Sequence, residues 1–291
     1  MRTESVVRAA FFGAAALSLV ISGLIVVSLV SEATSFVNSV DLPTLWSTGG
    51  WFPRRGFFDV KTIVVGSLLV TIIGMMLAVP LGLGTAIYLA EYARPKTRRV
   101  LKPALEMLAG IPSVVVGVFA LTWVSPELVR RFFDATLFNL VAAGIGVGVL
   151  TVPLVASISE DAMRAVPQAL REASYGLGAR KVTTSIRVVI PAAVSGLVAA
   201  FIVAVSRAIG ETMVVAIAAG GTGGSRFTTD VLGPGQTMTA AMAALASGTD
   251  QVTGSGNAFQ SLFFVGLLLF CITLGLNIVA ERFVRRVRQR Y

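Results

Sequence analysis

Arg207 and Glu211 are two ionisable residues inside an otherwise apolar stretch, residues 191–219. Their i,i+4 spacing places both side chains on one face of a helix, within reach of each other. A charged side chain at the centre of a bilayer costs roughly 2.5–3.5 kcal/mol, so such a group is expected to be paired or to face a polar cavity. The forked donors of guanidinium match the oxygens of a tetrahedral anion. The spacing therefore favours either a self-neutralised ion pair or a temporary counter-charge for an oxyanion.

Two hydroxyl groups beside prolines are further candidates. Ser113 follows Pro112 and Thr151 precedes Pro153, each within an apolar stretch. Such a hydroxyl can contact a passing solute, or it can bond a backbone carbonyl that the proline leaves without a donor. Both roles stay open for Ser113, whereas the backbone role is the simpler interpretation of Thr151.

The composition excludes most other chemistry. Charged residues make up 13% of the 291 residues, against roughly 25% in soluble domains, and the mean hydropathy is +0.83. There is no His, the one cysteine (Cys271) cannot form an intrachain disulfide, and no Walker-type phosphate-binding motif occurs. We therefore expect an integral membrane protein with no catalytic site, metal site or ATP site of its own.

The elements that must position Arg207 and Glu211 are membrane-spanning helices, because a span needs about 20 mostly apolar residues. The first apolar stretch is too long for the 7–15-residue core of a signal peptide, which predicts an uncleaved anchor, although cleavage near Ala33 stays open. The sequence thus predicts an all-α, polytopic fold. Six stretches qualify as spans, at residues 9–30, 62–89, 105–124, 137–158, 191–219 and 260–280.

The basic residues predict the orientation of these spans. With the N-terminus inside, 17 of the 24 Lys and Arg residues fall in inside segments and 6 in outside loops, and Arg207 lies within a span. The positive-inside rule therefore favours two cytoplasmic termini, and the net charge of +9 is a topology signal rather than a nucleic-acid site. Residues 220–259, rich in Gly, Ser and Thr, are expected to form a flexible outside loop.

Residues 159–190 form the most informative inside segment. Ala162, Val166, Leu170 and Ala173 recur at helical spacing with charged residues between them. Such short amphipathic helices can lie on the membrane surface or dock into a groove on a soluble partner. Helix periodicity alone leaves both roles open.

This segment resembles the EAA loop of ABC-transporter permeases, which reads E-A-A, three residues, G, nine residues, I-x-L-P. The spacing fits without a gap, and the departures are Ser174 for Ala, Val188 for Ile and Ile190 for Leu. The resemblance implies a coupling helix that contacts cytoplasmic ATPase subunits, so that ATP is bound by partners and this chain needs no cofactor. The coupling residues it implies are Glu172, Ala173, Ser174, Gly178 and Arg180.

Three further stretches are similar to the phosphate-specific ABC permeases, at residues 110–117, 159–162 and 207–213. The C-terminal span and the outside loop that contains Trp51 resemble the C-type subunit more than the A-type. This similarity implies a permease subunit of an ATP-driven phosphate importer in the cytoplasmic membrane, with Arg207 and Glu211 important for transport. It also implies an A-type permease subunit, cytoplasmic ATPase subunits and an extracytoplasmic phosphate-binding protein as partners, besides membrane lipid.

The implied organisation has three parts. Residues 1–61 hold the first helix and an outside loop, residues 62–280 form the permease core with its coupling loop at 159–190, and residues 281–291 form a basic cytoplasmic tail. Two alternatives stay open. The chain could serve another oxyanion such as sulfate or molybdate, or it could be a secondary transporter, which would need no ATPase and no EAA loop.

Overall fold

Helices build nearly the whole molecule. The computed structural model describes residues 2–47, 49–221, 224–248 and 256–287. Within them, six helical segments are long and apolar enough to cross a membrane, which confirms the all-α, polytopic fold. These segments are Val6–Ser39, Val60–Tyr92, Ser113–Phe132, Leu140–Arg164, Lys181–Ile209 and Asn257–Arg286.

Shorter helices connect these spans. Three spans contain a stretch of π-helix, at Tyr88–Tyr92, Ala120–Val129 and Ser185–Val189. The only strands in the described residues are Trp51–Phe52 and Phe57–Phe58, which pair as an antiparallel hairpin. The α-helices are α1 (Arg2–Ser39), α2 (Val60–Ile87), α3 (Pro95–Leu108), α4 (Ser113–Phe119), α5 (Arg130–Phe132), α6 (Leu140–Arg164), α7 (Gln168–Gly176), α8 (Lys181–Thr184), α9 (Ile190–Ile209), α10 (Met213–Ala218), α11 (Met238–Ala246) and α12 (Asn257–Val287).

Glycines bring α2 and α6 together at the centre of the bundle. A Cβ atom on Gly148 would lie 2.9 Å from the carbonyl oxygen of Gly74, and one on Gly144 would lie 2.6 Å from the Cβ of Ile73. Small residues allow helix backbones to approach this closely, and close contact supplies the dispersion energy that holds helices together in lipid. Gly84 has open space around it and takes no part in this contact.

The span that contains α2 joins two opposite ends of the molecule. It begins at Val60, directly after the Trp51–Phe58 hairpin, and its last turns hold Glu91, which pairs with Arg171 of α7. We call the end of the molecule at the Trp51–Phe58 hairpin the hairpin end, and the end at Glu91 and α7 the coupling end. At the bundle surface, α1 packs along α12, and α1 exposes large apolar side chains such as Phe11 and Leu19.

The predicted third span, residues 105–124, is wrong at its beginning. The helix α3 ends at Leu108, residues 109–112 form a turn, and the span starts at Ser113. The apolar run crosses this turn without a change in hydropathy, so hydropathy alone cannot locate it. Gly110 and Pro112 explain the break, since glycine lowers helix stability and Pro112 adopts an extended conformation at the N-cap of α4.

The predicted fifth span, residues 191–219, is divided. The helix α9 ends at Ile209, and α10 starts at Met213. The loop expected at 220–259 is also only partly a loop, because it contains α11, where Met238, Ala241 and Leu245 are buried. Residues 222–223 and 249–255 of that stretch lie outside the described residues.

The predicted basic tail begins inside a helix. The helix α12 continues through residues 281–287, where Glu281 and Arg285 form an exposed i,i+4 ion pair. Residues 288–291 lie outside the described residues.

Candidate functional site

The break between α9 and α10 holds the two charged residues that the sequence singles out. Gly210 caps α9, donating its N–H to the carbonyl oxygen of Ser206 at 3.3 Å. The carbonyl oxygen of Glu211 then accepts a hydrogen bond from the hydroxyl of Thr239, in the first turn of α11, at 2.8 Å. The break is therefore held by a side chain 28 residues further along the chain.

The internal ion pair, one of the two alternatives for Arg207 and Glu211, is not formed. Because α9 ends at Ile209, Arg207 and Glu211 do not share a helix, and the i,i+4 geometry is lost. The Oε1 of Glu211 instead accepts a hydrogen bond from the backbone N–H of Thr212 at 3.2 Å. Across the described residues, no ion pair joins Arg207 to a carboxylate. Of the two alternatives, the self-neutralised ion pair is therefore not formed, and the role of counter-charge for an oxyanion stays a prediction.

Arg207 lies on an exposed and otherwise apolar face. Val203, one turn earlier in α9, and Met213, at the start of α10, are 43% and 39% exposed. The guanidinium is exposed beside them. A lone cation on a lipid-facing surface carries a cost of several kcal/mol, so this face needs a polar cavity or a protein partner against it.

The helix α4 packs beside this face. A Cβ atom on Gly117 would lie 3.1 Å from the Cα of Val214, which shows how closely α4 approaches α10. Ser113, the first residue of α4, is half-buried, and the following turns expose Val114, Val115 and Val118. The exposed apolar face thus extends from α9 and α10 onto α4.

Thr151 lies elsewhere, inside the bundle. It is 2% exposed, and its hydroxyl donates to the carbonyl oxygen of Val147 at 2.7 Å. This is the i−4 bond that a threonine hydroxyl commonly makes inside a helix, whereas the carbonyl that Pro153 leaves without a donor is that of Val149. Transport roles for Arg207, Glu211, Ser113 and Thr151 stay predictions.

The coupling loop forms the helix that the sequence predicts. The helix α7 starts after Pro167, and Gly178 reverses the chain with a φ of +78°, a conformation that glycine adopts without strain. The hydroxyl of Ser174 lies 2.9 Å from that of Thr184 and links α7 to α8. The exposed residues of the loop include Glu172, Ala173, Arg180 and Leu177, which is 90% exposed.

A buried ion pair, which the sequence analysis missed, connects α7 to the end of the α2 span. The Nη2 of Arg171 lies 3.0 Å from the Oε1 of Glu91, and both residues are buried. The same guanidinium donates to the carbonyl oxygens of Val166 and Met163 at 2.6 and 2.8 Å. Met163 lies in the last turn of α6 and Val166 lies two residues past its end, so the guanidinium caps this end of the helix. Arg171 therefore joins α2, α6 and α7 at one point.

A second cluster fixes α3 to α6. Glu160 is fully buried and accepts from the Nε of Arg98 at 2.8 Å and the Nζ of Lys102 at 2.7 Å. The hydrogen bond from Arg98 to Glu160 raises the pKa of Arg98. Partial burial alone would lower the pKa of Lys102, but the hydrogen bonds to Asp161 and Glu160 and their charges raise it. Both cations are therefore charged at neutral pH.

Both clusters pair residues at least 58 positions apart in the chain. Their only sequence signal is a carboxylate at the end of an apolar run, as at Glu91 and Glu160. Which cation each one meets depends on how the helices pack, so residue spacing could not reveal the partners.

Comparison with known proteins matches residues 78–290 to the family described as binding-protein-dependent transport system inner membrane component. The phosphate transport system permease protein PstC of Mesorhizobium japonicum is 30% identical over 99% of this chain and 92% of its own length. PstC 1 of Mycobacterium tuberculosis is 32% identical over 84% of this chain and 77% of its own length.

An inward-facing structure of the MetNI methionine ABC transporter has the same fold, with a TM-score of 0.58. It is 20% identical and covers 86% of this chain and 100% of its own. The EAA-like loop, the six spans and these matches agree with one another. This chain belongs to the family of binding-protein-dependent transport system inner membrane components that includes the PstC permeases.

Proposed function

We propose that this chain is the C-type permease subunit of an ATP-driven importer of inorganic phosphate, and that phosphate passes Arg207. The observation that carries the proposal is the exposed Arg207 guanidinium, which has no carboxylate partner in the described residues and stands at a helix break. The match to PstC over 99% of this chain supports phosphate as the substrate.

The proposed orientation places the coupling end in the cytoplasm and the hairpin end outside. The excess of Lys and Arg in segments on the coupling side supports it. Both termini then lie in the cytoplasm. Arg207 is 16 residues past Pro191, about 24 Å of helix at 1.5 Å per residue, and so lies nearer the outside.

In the proposed complex, a homologous A-type permease covers the face formed by α4, α9 and α10. That partner gives Arg207 a polar cavity in place of lipid, as the cost of an exposed cation requires. Two ATPase subunits bind the exposed side of α7, where Glu172 and Leu177 stand. A phosphate-binding protein docks at the hairpin end and delivers the substrate.

Transport proceeds in this proposal by alternating access. The ATPase subunits hydrolyse ATP and move α7, while this chain supplies half of the pathway and the lever that moves it. The forked donors of Arg207 neutralise phosphate during passage, and the nearby Glu211 keeps the site from binding the anion too tightly to release it. This chain is then a transport subunit rather than an enzyme.

A substrate panel tests the proposal. Vesicles that hold the complete complex, loaded with ATP and supplied with binding protein, should take up radiolabelled phosphate, and vesicles without ATP should not. Sulfate and molybdate should enter at background rates. Uptake of sulfate or molybdate in place of phosphate would keep the permease assignment but overturn the substrate, and phosphate uptake without ATPase subunits would indicate a secondary transporter.

A further inference from the structure

The helix α3 lies at the edge of the bundle and is attached along one side only. It contacts α6 more than any other helix, and none of its residues is buried. Arg98 and Lys102, one turn apart on α3, both reach the carboxylate of Glu160 in α6, at 2.8 and 2.7 Å. One side of α3 is therefore fixed to α6, and the opposite side is exposed.

The exposed side of α3 carries an apolar stripe. The positions i, i+4, i+7 and i+8, which share one face of a helix, are occupied by Val100, Ala104, Met107 and Leu108. The exposed fractions of Val100, Met107 and Leu108 are 68%, 72% and 50%. Apolar surface of this kind is unfavourable in water, so the stripe needs an apolar environment that the rest of this chain does not supply.

Cations without a carboxylate partner lie beside this stripe. Five Lys and Arg residues stand within residues 94–102, and two of them are paired with α6. The other three, which are exposed and form no ion pair within the part of the chain that the structure describes, are Arg94, Lys96 and Arg99. Lys96 and Arg99 are neighbours on the helix surface, where like charges repel each other unless an anion compensates them. The one carboxylate of α3, Glu106, lies two turns beyond Arg99.

The level of α3 in the bundle matches the surface of a bilayer. The α2 span ends at Tyr92, shortly before α3 begins at Pro95, and Tyr88 and Tyr92 are 46% and 40% exposed. Exposed tyrosines at the end of a span are typical of the headgroup region. Glu160, which anchors α3, lies one turn before the end of α6, or about 6 Å of helix. The helix α3 thus lies where head groups meet acyl chains at the coupling end.

We infer that α3 is an interfacial helix that binds anionic phospholipid. Val100, Met107 and Leu108 enter the boundary between head groups and acyl chains, and Lys96 and Arg99 bind the lipid phosphates. A docked protein is the other occupant that an apolar stripe could have. The exposed tyrosines and the cations without carboxylate partners favour a lipid surface of negative charge over such a partner. The inference holds for any transported substrate, so it goes beyond the proposed function and does not rest on it.

Quenching by brominated lipid tests the inference in the assembled complex. A bimane label on Val100→Cys, in nanodiscs and with no other cysteine labelled, reports which lipid lies beside α3. Brominated phosphatidylglycerol, which is anionic, should bind there about tenfold more strongly than brominated phosphatidylcholine, which is zwitterionic. Lys96→Gln combined with Arg99→Gln should lower this preference to about twofold or less, because both cations are removed. Arg130→Gln combined with Arg131→Gln, a matched control that removes two exposed cations at the far end of the next span, should keep it.

Three outcomes would overturn the inference. Equal quenching by the two lipids would leave an interfacial helix without preference for anionic lipid. Absence of quenching by either lipid would show that a protein subunit covers Val100. An unchanged preference in the variant that lacks the cations of Lys96 and Arg99 would show that these residues do not bind the lipid. The assay needs neither ATP nor phosphate, so its result is independent of whether the complex imports phosphate.

Discussion

At the scale of single residues, burial decides which charges matter for stability. Glu160 and Asp161 are adjacent carboxylates that both bind Lys102, but the Glu160 side chain is fully buried and that of Asp161 is 63% exposed. A buried carboxylate that loses its charge leaves its cations without compensation, whereas an exposed one is replaced by water.

We therefore expect Glu160→Gln to destabilise the protein by about 3 kcal/mol or more, and Asp161→Asn by about 1 kcal/mol or less. The measurement is the midpoint of thermal unfolding of the purified complex for the two variants side by side. Equal shifts for the two variants would contradict the assignment of Glu160 as the carboxylate that fixes α3 to α6.

The sequence was enough to predict which residues are candidates for the site, but it did not predict how the structure arranges them. Arg207 and Glu211 stand out in the sequence because they are the two charged residues of an apolar run. Their separation by a helix break depends on Gly210 and on the Thr239 hydroxyl, which reaches Glu211 from α11. A bond over 28 residues leaves no periodic signal, so an unbroken helix was the natural prediction.

At the scale of elements, α7 combines an exposed outer side with a buried inner anchor. Glu172 and Leu177 face outward, while Arg171 is fixed against Glu91 and the end of α6. Arg171 therefore ties α7 to the α2 span and to the end of α6, and the Ser174–Thr184 hydrogen bond ties it to α8.

Replacing Glu172 with Trp should weaken binding of the ATPase subunits, because a bulky ring on the exposed side of α7 disturbs its fit into a partner groove. Co-purification of the ATPase subunits with this chain measures the effect. Glu106→Trp, at an exposed carboxylate of α3, is the matched control and should leave co-purification unchanged. Undiminished co-purification of Glu172→Trp would count against α7 as the docking helix.

Removing the Glu91–Arg171 pair should uncouple ATP hydrolysis from transport. Arg171→Met alone leaves a buried carboxylate without a partner and should destabilise the complex by about 3–5 kcal/mol. The double variant Glu91→Leu, Arg171→Met removes both charges, so it should assemble better than the single variant and still transport fewer phosphates per ATP hydrolysed. A normal transport ratio in the assembled double variant would show that the pair serves stability only.

The sequence predicts the helix of the coupling loop, but it does not predict α11. Pro167 and Gly178 are local signals, and the structure begins and ends α7 beside them. The Met238–Ala246 helix lies in a stretch whose many Gly, Ser and Thr residues predict a loop, and its burial comes from contacts with α2 and α12.

At the scale of the whole molecule, two exposed apolar faces have different chemistry. The exposed middle of α1 carries no charged residue between Arg8 and Glu32, as suits a lipid-facing helix. The face of α4, α9 and α10 carries Arg207 in its midst, as a surface shared with a second permease would. Both faces expose apolar side chains, and they differ because the second one carries the cation of Arg207.

The most direct measurement is ATP-dependent uptake of radiolabelled phosphate by proteoliposomes that hold the complete complex, for wild type, Arg207→Gln and Arg131→Gln. We expect uptake by wild type and Arg131→Gln, and uptake at the background rate by Arg207→Gln, with all three assembling equally. Normal uptake by Arg207→Gln would contradict the central claim that phosphate passes this guanidinium.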